Sequence, residues 1–589
     1  MPSRIKTLCR VCVWLVVATL WMAGPLTNSL DSQPKPPEIE RAESFHSLDD
    51  ILHYISLGWD RLSRSMNACE TFFDSKTEGE PFLYLPVEVP IPDEINGLPQ
   101  RCKIRVARLP EKITPADEQV VAKIRDHGLL FLEHPYVVPG GQFNEMYGWD
   151  SYFIVRGLLR DNRRDLARGM VENFFYEIEH YGGVLNANRT YYLGRSQPPF
   201  LSSMILELYR SDVASGQPNL QWLARAYQFA VSDYDQWTRA PHLAGGTGLS
   251  RYFDEGDGPV PEIMGDPSDY YRRAAHYYLE NEGEHSSHLV RVDGEHPLES
   301  IVGPAFEVTM CDPGKSHPSA ADCEPADHIG LTPDYYKGDR SLRESGFDIT
   351  FRFGAYGAET HHYAPICLNS LLYKTELDLA EISHLLNQPQ DAEAWREKAA
   401  HRKELIDRYL WDPVHGLYTD YNFESGQRST YEYATTFYPL WVGLASKEQA
   451  GAVEKNLALF EQAGGLAMSV KQTGAQWDYP YGWAPIQLLA LEGLRRYGYS
   501  EDADRISEKF LTMVLENFRR DRTIREKYNV VTRSTVTRIT AGYVINVSGF
   551  GWTNAVFLEL LNEAPPQVRE QLRKDVEPAP PNPTGNHQH

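Results

Sequence analysis

Apolar residues recur at helical spacing along most of this chain. Between Leu220 and Arg239 they fall at Leu220, Leu223, Ala226, Phe229, Ala230 and Tyr234, a step of three to four residues that lines one face of an α-helix. The same step runs through Asp391–Leu410, Ala450–Phe460 and Ala503–Phe518. Period-two alternation, the mark of a half-buried strand, is scarce. Stretches rich in Gly, Pro and Asp separate the helical windows, and these residue types stop helices and build loops. No motif returns at a constant period, which argues against a stacked solenoid. The pattern predicts an all-α chain, a toroid of paired helices whose long loops at one end form a pocket.

The two ends depart from this pattern. Arg4, Lys6 and Arg10 precede an apolar run from Val11 to Gly24, and polar, Pro-rich sequence follows from Asn28 to Pro37. That layout predicts a secretory signal over 1–27 and a Pro-rich linker over 28–45. The run is short for spanning a bilayer, so export is favoured over a membrane anchor, and the expected location is periplasmic or secreted. The main domain is placed at 46–563, with 46–138 an irregular N-terminal extension packed on it. The tail over 564–589, rich in Pro, Gln, Asn and charge, is expected to be disordered.

Composition narrows the partners. A formal net charge of -23 over 589 residues argues against nucleic acid or an anionic membrane surface and suits a soluble protein with a neutral ligand. A monomer is expected, with no membrane association after signal removal. Outside the leader the cysteines are Cys69, Cys102, Cys311, Cys323 and Cys367. In an oxidising compartment Cys69 would pair with Cys102 and Cys311 with Cys323, while Cys367, in an apolar run, reads as a buried thiol. Adjacent histidines such as His361-His362 rarely point the same way on one element, and the His285/His288 spacing arises by chance, so no metal is expected.

Two aromatic-acidic clusters carry the chemistry: Pro139-Gly140-Gly141-Gln142-Phe143-Asn144-Glu145-Met146-Tyr147-Gly148-Trp149-Asp150-Ser151-Tyr152 and Gln476-Trp477-Asp478-Tyr479-Pro480-Tyr481-Gly482-Trp483-Ala484-Pro485. A sugar presents an apolar C–H face that packs on an aromatic ring and an edge of hydroxyls that carboxylates and amides bind. An isolated Trp-Asp pair is more often a core Trp beside a helix cap. Two such pairs, each set among Gly, Pro and Tyr, point to a carbohydrate pocket on loops.

With further segments added, the chain resembles the trehalase family of glycoside hydrolases (family 37). Asn186-Ala187-Asn188-Arg189-Thr190-Tyr191-Tyr192-Leu193-Gly194-Arg195-Ser196-Gln197-Pro198-Pro199 is similar to its substrate-binding loop, and Ser345-Gly346-Phe347-Asp348 to its acid-bearing loop. Glu526-Lys527-Tyr528 is similar to its base-bearing segment and Gly549-Phe550-Gly551-Trp552-Thr553-Asn554 to its C-terminal motif. The resemblance implies an (α/α)6 toroid and cofactor-free, inverting hydrolysis of the disaccharide α,α-trehalose, with Asp348 as general acid and Glu526 as general base. Inversion needs one protonated carboxyl and one carboxylate that activates water across the ring. Phe347 could desolvate Asp348, and Arg525 and Lys527 could keep Glu526 ionised. The resemblance also implies sugar contacts at Trp149, Asp150, Asn186, Arg195, Ser196, Gln197, Glu262 and Gly346. Gln142, Trp477, Asp478, Trp483 and Trp552 are assigned to the same pocket.

Several positions depart from the family pattern. Gln142 and Val260 stand where the family has Arg, Phe347 where it has Trp, and Cys367 where it has Asp. Thr540–Ser548 replaces a Gly-rich run that carries a Glu, and Tyr543, Val544 and Ile545 cannot take glycine's backbone angles. Charge-assisted hydrogen bonds of about 1.5–3 kcal/mol each are thereby absent. Two alternatives stay open: a hydrolase of a different α-glucoside, and a sugar-binding descendant without turnover.

Overall fold

The computed structural model describes residues 47–73, 79–113, 118–262, 267–281, 286–292, 301–308 and 327–574. The expected signal and linker, the Cys311–Cys323 pairing, His285 and the tail beyond 574 lie outside these residues.

Among the described residues, helices make the frame, most of them in two concentric layers. They are α1 (Leu48–Leu62), α2 (Asp150–Arg160), α3 (Arg164–Tyr181), α4 (Leu201–Ala214) and α5 (Leu220–Trp237), then α6 (Pro267–Glu280) and α7 (Pro333–Glu344). After these come α8 (Ile366–Leu385), α9 (Pro389–Tyr409), α10 (Tyr438–Trp441), α11 (Lys447–Lys455), α12 (Ala484–Arg496), α13 (Ser500–Asp521) and α14 (Gly551–Glu563). Helix α2 packs on α4, α4 on α8, α8 on α10, α10 on α12, α12 on α14, and α14 returns to α2. That inner ring is closed, and α1, α3, α5, α9, α11 and α13 form the outer layer, giving the (α/α)6 toroid.

Burial follows the layers. In the inner helix α8 every residue from Ile366 to Leu372 is buried, whereas the outer helix α9 buries one stripe at Ala392, Trp395, Ala399, Leu405 and Ile406. A helix apolar on all sides belongs in the interior, and one with a single stripe belongs on the outside. Where α2 meets α14 the backbones come close, and a Cβ on Gly157 would lie 2.6 Å from that of Ala555. Charge also spans the ring: Arg156 on α2 reaches Glu492 on α12 at 2.7 Å and Glu559 on α14 at 3.0 Å.

The helical windows read from spacing appear as α5, α9, α11 and α13 within a few residues; the third ends early, its last turn becoming the 3-10 helix Leu457–Leu459. The N-terminal extension is more regular than expected. Ser47 and Asp50 form a reciprocal capping box that starts α1, a device that stabilises a helix start by about 1 kcal/mol. Helix α1 packs on α14 and α13 as part of the outer layer. Phe82–Leu85 pairs in parallel with Arg105–Arg108 and Leu129–Leu130. Cys69 and Cys102 are bonded, with Cα atoms 5.0 Å apart, and Cys367 is a buried free thiol. The expected disorder from 564 is corrected at its start, where Pro566–Arg573 is a helix that buries Leu572. No helix among the described residues is long and apolar enough to cross a membrane.

Candidate active site

One end of the toroid holds a cavity of about 560 Å³, within the range of small-molecule sites. Loops that end in inner helices build it. Trp149 is the residue before α2, and Asp150 is the first of that helix. Trp483 caps α12, and Trp552 is the second residue of α14. The strand β1 (Tyr481–Trp483) pairs with β2 (Lys527–Asn529), with Trp483 opposite Lys527. That register sets Glu526 beside the second aromatic cluster.

Four tryptophans form the floor. Trp477 and Trp483 stack face to face with centroids 3.8 Å apart, and Trp149 meets Trp477 at 5.8 Å and Trp552 at 5.5 Å. The backbone holds their edges: Trp483 Nε1 donates to the Gln476 carbonyl at 2.9 Å, and Trp552 Nε1 to that of Glu526 at 3.3 Å. Such a floor presents π-faces for the apolar side of a sugar ring.

The carboxyl groups differ in their surroundings. Asp348 lines the cavity with 26% of its side chain open, 3.8 Å from Arg343 Nη1. Burial pushes its carboxyl up from 3.8 to about 7, against the pull of Arg343. Glu526 lies 3.0 Å from the Nζ of Lys527, whose side chain is fully enclosed. The Lys527 ammonium also donates to Gln476 Oε1 at 2.8 Å and to the Ile545 carbonyl at 3.0 Å. Arg525 turns away and donates to the Asn546 carbonyl and Ser548 Oγ. Asp150 is buried, and its carboxyl is pushed well up by burial and by the charges of Glu526 and Asp348.

Beyond the floor, Arg195 grips Glu262 with two nitrogens, at 2.5 and 3.3 Å, and Asp254 with its Nε at 2.5 Å. Burial would raise Glu262, but the guanidiniums of Arg195 and Arg343 overcome it and hold the carboxyl down. Arg343 also donates to the Tyr543 hydroxyl at 2.5 Å. A chain of alternating charge thus runs from Asp254 through Arg195 and Glu262 to Arg343, which approaches the Asp348 carboxyl.

The cavity brings together Gln142, Trp149, Asp150, Asn186, Arg195, Gln197, Glu262, Asp348, Trp477, Trp483, Glu526 and Trp552. Three other candidates stand behind its surface. Ser196 donates its hydroxyl to the Val184 carbonyl at 2.6 Å. Gly346, at φ +75°, backs directly onto Trp149, where a Cβ would sit 2.8 Å from the indole. Asp478 is fully buried and accepts from Thr350 Oγ1, Thr473 Oγ1 and the Phe351 N–H, so it ties the Asp348 loop to the second cluster. Phe347 packs edge-on against both Trp149 and Trp477.

Among the departures, Gln142 and Tyr543 line the cavity, while Val260 and Cys367 do not. Cys367 lies against Arg352, whose bidentate partner is Asp420. Sequence reading missed Tyr147, Tyr192, Tyr270 and Arg343, which also line the cavity. Arg343 carried a usable signal, since Asp339 one turn earlier is its ion-pair partner at 3.3 Å. His361 and His362 correct the reasoning about adjacent histidines: on a 3-10 turn their rings lie 3.9 Å apart and both approach Asp334.

The trehalase family model matches residues 93–291 and 330–565, which include the cavity's carboxylates and tryptophans. The chain belongs to the trehalase family. It is 36% identical over 579 residues to the cytosolic neutral trehalase of Saccharomyces cerevisiae, covering 88% of this chain and 72% of that one. With the cytosolic neutral trehalase of Emericella nidulans it shares 37% over 472 residues, 73% of this chain and 58% of that one. The solved structure of neutral trehalase Nth1 from Saccharomyces cerevisiae superposes with a TM-score of 0.72 at 35% identity, covering 90% of this chain and 97% of that one. These trehalases also correct the expected export. The signal and the periplasmic or secreted location were read from a basic start and an apolar run, a compositional pattern alone, and relatives named as cytosolic overturn that reading.

Proposed function

We propose that this trehalase-family chain hydrolyses α,α-trehalose to two glucose molecules with inversion, Asp348 acting as general acid and Glu526 as general base. The observation that carries the assignment is the contrast between two carboxyls on one cavity. Asp348 is held up to about 7 by burial, so it keeps a proton near neutral pH. Glu526 is paired with an enclosed ammonium at 3.0 Å.

In the proposed reaction one glucose ring packs on the tryptophan floor. Asp348 gives its proton to the glycosidic oxygen as the C1–O bond breaks. Glu526 takes a proton from water, whose oxygen attacks C1 from the opposite face. Lys527 fixes the Glu526 carboxylate, and the Arg195–Glu262–Arg343 chain offers charged edges to hydroxyls. Gln142, Asn186 and Gln197 add amide groups.

The test is purified protein with a panel of α-linked glucose disaccharides, following glucose release. Trehalose is expected to be cleaved fastest. Asp348→Asn and Glu526→Gln are each expected to lower kcat by about 10²–10⁴-fold. Cleavage of another α-glucoside with trehalose untouched would overturn the substrate; full activity in either variant would overturn that residue's role.

A further inference from the structure

Outside the cavity, a second cluster of chemically capable side chains lies at the far end of α7 from Arg343. Asp334 sits in the first turn of α7, and His361 and His362 lie on the 3-10 turn Thr360–His362. His361 Nε2 is 2.9 Å from Asp334 Oδ1, and His362 Nε2 is 3.5 Å from the same oxygen. The ligand-capable atoms of all three lie within 4.8 Å of one another. None of the three lines the active-site cavity.

We propose that Asp334, His361 and His362 form a site for a late first-row divalent cation, zinc by ligand type, which clamps the start of α7 to the turn after the Asp348 segment. Tetrahedral zinc with bonds of roughly 2.0–2.2 Å holds neighbouring donor atoms about 3.3 Å apart. The separations of 2.9 and 3.5 Å straddle that value, and the remaining pair of donor atoms lies within 4.8 Å, so side-chain adjustment alone closes the three groups on an ion. Two imidazole donors with one carboxylate favour zinc and its neighbours over calcium or magnesium, which take oxygen ligands.

The environment fits the same reading. Asp334 keeps 47% of its side chain in solvent and His362 keeps 26%, so an ion can enter, while His361 at 7% is fixed by packing. The Nδ1 of His361 is buried without a hydrogen-bond partner among the described residues, which leaves Nε2 as the nitrogen that orients the ring. His288 approaches the other carboxylate oxygen, with Nδ1 3.7 Å from Asp334 Oδ2. Arg251 comes from the backbone side, donating to the His361 carbonyl at 2.9 Å. An ion bound there joins α7, whose last turn carries Arg343, to the chain that leaves Asp348.

The test uses the full-length, tag-free protein, stripped with chelator and equilibrated with zinc ions alone. One equivalent of tightly held zinc is expected, with X-ray absorption showing two imidazole nitrogens and a raised melting temperature. His362→Gln and Asp334→Asn, at partly exposed positions, are each expected to weaken uptake by at least about 100-fold. His415→Gln, which breaks an exposed His–Asp pair of 2.6 Å elsewhere, leaves uptake unchanged. Failure of the stripped wild type to take up zinc at micromolar free concentration would overturn the proposal. So would uptake that survives both variants, or a spectrum with no imidazole.

Discussion

Raising the pH across neutrality perturbs one group whose state the proposed reaction requires. The Asp348 carboxyl is held up from 3.8 to about 7 by burial, a bias of roughly 4 kcal/mol towards the protonated form. It is then about 90% protonated at pH 6 and about 10% at pH 8, so kcat/KM is expected to fall about tenfold per unit above pH 7. The same bias acts on stability. Between 3.8 and about 7 the folded chain holds a proton that the unfolded chain has released, so stability is greatest below this window and falls as pH rises through it. About 3 kcal/mol of that loss falls between pH 5 and pH 8. Asparagine cannot ionise, so Asp348→Asn removes this part of the decline while removing activity. The assay is urea unfolding of wild type and variant at both pH values, beside the wild-type pH–rate profile. A variant whose stability falls with pH as steeply as the wild type's would refute the reasoning, as would a profile flat from pH 6 to pH 8.5.

Two substitutions test how the site is held. Lys527→Met removes the enclosed ammonium from Glu526, Gln476 and the Ile545 carbonyl; breaking such a buried pair costs about 3–5 kcal/mol, read by urea midpoint, and kcat/KM is expected to drop at least about tenfold. Gly346→Ala puts a side chain where φ is +75° and a Cβ would meet Trp149 at 2.8 Å; it is expected to cost about 1–3 kcal/mol and to raise KM for trehalose, measured by initial rates.

The helical architecture was legible because periodicity is local: the stripes at Leu220–Tyr234 and Ala503–Phe518 became α5 and α13. Helix α1 escaped notice, although its cap and first turn are written in Ser47 and Asp50. The tryptophans and carboxylates of the cavity could be named from motifs, since residue type and order survive in sequence. Which of them face the cavity could not. Asp478 and Ser196 sit in the same motifs as Trp477 and Arg195, yet their oxygens are committed to Thr350, Thr473 and Val184. Thr473 and Val184 are near in sequence but Thr350 lies 128 residues from Asp478, and only the fold shows which of these contacts form. The converging pair His361-His362 was hidden for the same reason, its shared partner Asp334 lying 27 residues before His361.

The stereochemistry of the first turnovers tests the central proposal most directly. Proton NMR of trehalose hydrolysis, read before the anomers interconvert, distinguishes the two outcomes. Inversion at the attacked carbon releases one β-glucose, while the departing ring leaves as α-glucose, so equal amounts of both anomers are expected at the earliest times. Release of α-glucose alone would contradict a water activated by Glu526 across the ring from Asp348.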